Sequence, residues 1–115
     1  MEHNMKLNKE PFQLMKSGKK TIEIRLKDEK RQKVKIGDII IFTEIPEVEK
    51  KNTIKVQVID LLEFKSFKEM YKKIPFTYFG CEGESEEYML KSTYDIYSKE
   101  KEREYGVLGI KVKII

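Results

Sequence analysis

At 115 residues the chain has room for one compact domain, spanning 1–115. Its 39% hydrophobic content, with six Phe and six Tyr, is enough to line a small core, and a 38% charged fraction keeps the surface wet. No apolar run approaches the roughly 18 residues needed to cross a membrane, and MEHNMKLNKE lacks the apolar stretch of a signal peptide, so a cytoplasmic protein is expected. With Cys81 the only cysteine and His3 the only histidine, an internal disulfide is excluded and the usual four ligands of structural zinc are not supplied; no metal or cofactor is expected.

The net charge is +4, and it is unevenly spread. Residues 16–35 hold nine Lys and Arg against three Asp and Glu, a local excess of six, which leaves the rest of the chain slightly acidic. Such clustering suits a phosphate-backbone partner, because each neutralised phosphate releases counterions. It also suits a solvated, salt-bridged face, and charge alone does not choose between them.

In chain order, Met5 to Leu7 reads as a short first strand. Asn8 then stands as N-cap of a helix with Pro11 in its first turn, where a missing N–H costs little. Phe12 and Met15 face the core, and Gly18 fits the left-handed residue that closes a helix ending near Ser17. Thr21, Glu23 and Arg25 alternate with Ile22, Ile24 and Leu26, the period of a half-buried strand with one polar face. Lys27 to Lys35 is charged and unpatterned, hence an exposed, mobile loop. Gly37-Asp38 makes the turn into a buried strand, Ile39 to Phe42.

A polar loop is expected from Pro46 to Asn52, then a long bent strand from Ile54 to Leu62. Ten of the twelve aromatics fall between Phe64 and Tyr105, where the strand period disappears and a helical insertion is expected. Ser66 and Glu69 form a capping box for its first helix, with Phe67 and Tyr71 on one face. A second helix runs from about Glu84 to Tyr97, with Tyr88, Leu90, Tyr94 and Tyr97 mostly inward. Tyr105 to Ile115 is the closing strand. The result is an α+β fold, a small mixed β-barrel of about five strands with helices after strands one and four, whose closure disposes of exposed edges.

The segment GKKTIEIR, Gly18 to Arg25, resembles the GxKxxExR signature of the ASCH family, named for homology to the activating signal cointegrator. The likeness extends to His3, Met5, Leu7 and Phe12, to Gly37-Asp38, and to the closing YGVLGI of Tyr105 to Ile110, and so covers nearly the whole chain. It implies a PUA-like barrel with a cleft beside the helix and second strand, and a role in binding RNA. Some relatives act enzymatically on nucleic acid or modified nucleosides.

The residue types give a parallel reading. Lys20 lies just beyond a helix end, while Glu23 and Arg25 share a strand face, so the three converge on one opening with Gly18 and Thr21 beside it. Arg offers a planar fork for phosphate or carboxylate, Lys a compact charge that burial converts to a base, and Glu an acceptor. The blander arrangement is a Glu23–Arg25 pair that merely supports the barrel, with Lys20 solvated.

Three functions follow. In a module binding RNA or a nucleotide-like small molecule, Lys16, Lys19, Lys27, Lys30 and Arg31 follow phosphates, while Gly18, Lys20, Thr21, Glu23 and Arg25 receive a base. Against it, the aromatics that would stack on bases read as core. The alternative is an enzyme resembling the small amidohydrolases that deacetylate N4-acetylcytidine. There Lys20 matches the catalytic lysine, Glu23 stands where the threonine nucleophile is found, and a further carboxylate falls near Glu82. A Lys20–Glu23 pair activating water is the chemistry left open. A protein-binding adaptor is the third, motivated by the helical insertion and the acidic stretch 82–104. Among single residues, Cys81 reads as a passive thiol, Ser98 as a helix cap and His3 as a packing or hydrogen-bonding side chain.

Overall fold

The structure is a computed structural model and describes residues 1–47 and 50–115, so the predicted Pro46–Asn52 loop lies partly outside the described residues. Five strands, β1 (Glu2–Asn8), β2 (Ile22–Leu26), β3 (Ile39–Ile45), β4 (Thr53–Phe64) and β5 (Val107–Ile114), form one curled sheet in the order β1-β3-β4-β5-β2. Helix α1 (Lys9–Lys16) follows β1, and α2 (Phe67–Lys73), α3 (Glu86–Tyr94) and α4 (Lys99–Tyr105) separate β4 from β5. The expected class and helix placement hold. Among the described residues no helix is long and apolar enough to cross a membrane.

The sheet is a half-barrel, and complete closure is not found. β1 and β2 are its two edges and share no ladder. Cationic side chains bridge the gap instead. Arg25 Nη2 donates to the Lys6 carbonyl at 2.7 Å, and Lys30 Nζ to the Asn4 carbonyl at 2.7 Å, satisfying acceptors that an edge strand leaves open. The long strand β4 bends where its register with β5 shifts between Val58 and Asp60.

Local signals explain most boundaries. Asn8 is the N-cap by position, although its side chain makes no capping bond. Gly18, at φ +83°, turns the chain out of α1 so that Lys19 N and Lys20 N both donate to Leu14 O, at 2.9 and 3.0 Å. The basic loop is held more firmly than its composition implies. Asp28 accepts from Arg31 N and Nη1, Lys27 pairs with Glu63, and Val34 is buried in the core. At the start of β1, the buried His3 bonds Asp38 at 2.8 Å.

The insertion differs most from expectation. The single helix predicted to Tyr97 stops at Tyr94, and the chain restarts as α4 with Ser98 as N-cap, its Oγ accepting from Lys101 N. Thr93 contributes to that break, because its hydroxyl donates to Met89 O and is bonded to Tyr71 Oη at 2.6 Å. Ser66 caps α2 through Glu69 N as expected, while Phe67 N–H donates to Oε2 of the buried Glu102 in α4, at 2.7 Å.

Apolar side chains gather into two clusters. One fills the curl of the sheet and includes Phe12, Met15, Ile40, Phe42, Val56 and Ile110. The other lies between β2 and the insertion, with Ile22, Phe67, Met70, Tyr71, Phe79 and Met89 among its members.

Candidate functional site

The alternation of β2 is as predicted, but the direction of its polar face is not solvent. Glu23 and Arg25 pair with Ile110 and Leu108 of β5, which belong to the core inside the curl, so cross-strand neighbours put both charged side chains on the lumen side. Ile22 and Leu26 pack instead under the helical insertion. The charged groups consequently occupy the gap that β1 and β2 leave unpaired.

There they form a compact cluster. Glu23 Oε2 accepts from Arg25 Nε at 2.8 Å and lies 2.7 Å from Nη2, and Oε1 lies 3.3 Å from Lys20 Nζ and accepts from Ile24 N at 3.1 Å. Lys20 is 7% and Glu23 4% exposed, which excludes the solvated lysine of the bland arrangement. Burial pushes the Glu23 carboxyl up, but Lys20 and Arg25 more than offset this and leave it below its ordinary value. For Arg25, burial works against the charge and Glu23 restores it, for a net rise. The cluster is two cations around one fully engaged carboxylate.

It forms the floor of a cavity of about 420 Å³ between α1, β2 and α3, within the size range of small-molecule sites. Its walls are largely apolar, including Leu7, Pro11, Leu14, Phe79 and Met89. Tyr71 and Tyr97 add hydroxyls that burial pushes up, to about 12 for Tyr71, so both are neutral near pH 7. Cys81 also lines it, its thiol raised by burial. At the rim stand Tyr88 and Ile96, 50% and 67% exposed. Of the two carboxylates in the lining, the buried Glu23 is committed to Lys20 and Arg25, and Glu10 is exposed.

Of the predicted ligand set, Lys20, Glu23 and Arg25 come together. Gly18 shapes the helix end without lining the cavity, and Thr21 uses its backbone, N to Tyr78 O and O from Val112 N, both at 2.9 Å. Glu82 is exposed and outside the cavity lining. Lys30 and Arg31 line a second depression, Lys27 is paired with Glu63, and Lys16 and Lys19 are exposed at the end of α1. Sequence reasoning missed the aromatic lining. Tyr88, expected inward, is at the rim because Met89 and Thr93 form the buried stripe of α3, and that helix is too short for its period to reveal which stripe wins. Among the described residues no three His, Cys, Asp or Glu gather as a metal site.

Comparison with known proteins places this architecture. The crystal structure of hypothetical protein PH0355 superposes with a TM-score of 0.87 at 40% identity, covering 100% of both chains. The solution structure of protein PF0455 from Pyrococcus furiosus gives a TM-score of 0.74 at 36% identity, over 100% of this chain and 98% of the other. No functionally curated protein matches. The model of the ASCH domain matches residues 5–115, and the chain belongs to the ASCH domain family.

Proposed function

We propose that the protein binds single-stranded RNA or a nucleotide-like ligand by taking a base into the cavity above Lys20, Glu23 and Arg25. The observation that carries this reading is an exposed aromatic ring, Tyr88, at the rim of an apolar chamber whose buried floor holds two cations. Tyr88 supplies the stacking face, the apolar walls replace water around the base, and Lys20 and Arg25 favour its carbonyl and ring-nitrogen acceptors. Fluorescence anisotropy with short RNA and DNA tests it. Stacking contributes about 1–3 kcal/mol per base, so Tyr88→Ala weakens binding about 5- to 150-fold with an unchanged circular-dichroism spectrum. Wild-type affinity in that variant refutes base insertion.

The amidohydrolase alternative draws support from the buried Lys20 alone. Glu23 has both oxygens engaged and Glu82 stands outside the chamber. Turnover of N4-acetylcytidine on the same samples, lost in Lys20→Ala with folding intact, would move the assignment to hydrolysis.

A further inference from the structure

Beside the cavity is a second depression of about 520 Å³ that shares Lys6 and Arg25 with it. Its charged lining is Lys6, Arg25, Lys30, Arg31 and Lys51 against Glu47, a net of +4. That equals the net charge of the whole chain. Glu23 and Asp28 partly offset two of these cations, and Lys6, Lys30 and Lys51 have no carboxylate partner among the described residues.

Two further features show that the charge is under-compensated. The Lys30 ammonium is made more acidic by burial and then by repulsion from Arg31 and Arg25. Arg31 gives only Nη1 to Asp28 among its side-chain donors, and its buried Nε–H has no acceptor among the described residues. A concave, positive surface attracts an anion, and the planar fork of Arg fits phosphate oxygens.

We propose that this groove, through Lys6, Lys30, Arg31 and Lys51, is the phosphate track of a nucleic-acid single strand whose base occupies the cavity. The strand crosses the unpaired seam between β1 and β2, with Arg25 standing between base and phosphates. This rests on the cavity reading above. It selects Lys30 and Arg31 from the basic segment, adds Lys6 and Lys51, and leaves Lys16, Lys19 and Lys27 out.

The test is the salt dependence of binding to a short fluorescein-labelled oligouridylate, between about 50 and 200 mM salt. Each phosphate contact to a single strand contributes about 0.7 to the log–log slope, so Lys30→Gln with Lys51→Gln lowers its magnitude by about 1.4. Lys16→Gln with Lys19→Gln leaves the slope unchanged. Glu47→Gln tightens binding, a gain that a damaged fold does not produce. An unchanged slope in the groove pair, or a reduced one in the helix-end pair, overturns the assignment. Adding Tyr88→Ala separates the two readings. Salt-insensitive binding that Tyr88→Ala abolishes keeps the cavity and removes the groove, whereas groove-dependent binding indifferent to Tyr88→Ala keeps the phosphate track and removes base insertion. Absence of binding by the wild type removes both.

Discussion

Replacing Glu23 by glutamine keeps the side-chain size and removes the carboxylate that pairs with both Lys20 and Arg25. Those cations, with side chains 8% and 13% exposed, then lose the carboxylate they pair with, and for Arg25 only the more distant charge of Asp28 remains among the described residues. Breaking a buried ion pair from one side costs about 3–5 kcal/mol, and the partial exposure of Arg25, with the hydrogen bonds glutamine can still accept, points to the lower end, about 3 kcal/mol. At about 2.1 cal/mol/K per residue, a chain of 115 residues has an unfolding entropy near about 0.24 kcal/mol/K, so Tm falls by about 12 °C. Thermal unfolding followed by circular dichroism measures this. Lys20→Met in the Glu23→Gln background should recover part of the loss by removing the stranded ammonium, the non-additivity expected of touching groups. Because the folded Glu23 titrates below its ordinary 4.5, its contribution is complete above about pH 4.5 and disappears as the pH falls through the folded value. The difference between wild type and variant is therefore flat at higher pH and closes in acid. A Tm shift under about 3 °C at pH 7, or a gap that widens in acid, refutes this account of the cluster.

Two other substitutions probe the frame that holds the site. Gly106 joins α4 to β5 at φ +75°, ψ −174°, a conformation nearly confined to glycine, and a Cβ there would meet Phe64 O at 3.3 Å. Gly106→Ala should cost about 1–3 kcal/mol, read as a Tm drop of about 4–12 °C. Asp38, held at about 2 first by the His3 hydrogen bond and then by Lys35 N–H, stabilises the fold above its ordinary 3.8 and loses that contribution as the pH falls from about 4 towards about 2. After allowance for solvent screening this is about 1–2 kcal/mol. Denaturant unfolding of Asp38→Asn should show that deficit at pH 7 and only a small remainder of it near pH 2.

Local patterning determined a good part of this molecule. The period-2 run from Thr21 to Leu26, the Gly18 helix stop, the Ser66 and Ser98 caps and the alternation in the closing strand are properties of neighbouring residues, and each element is found where they indicate. The convergence of Lys20, Glu23 and Arg25 was equally legible, since a three-residue offset across a turn and a two-residue offset on a strand fix their side. Which way that side faces was not legible. A strand's period is the same whether its polar face meets water or the lumen of a curled sheet, and only the pairing of β2 with Leu108 and Ile110 decides it. The fate of the basic residues was hidden for a similar reason. Their density is a sequence property, but whether a cation caps an edge carbonyl, as Lys30 does, pairs with a distant acid, as Lys27 does, or lines a groove with Lys6 and Lys51 depends on which segments long-range strand pairing brings alongside.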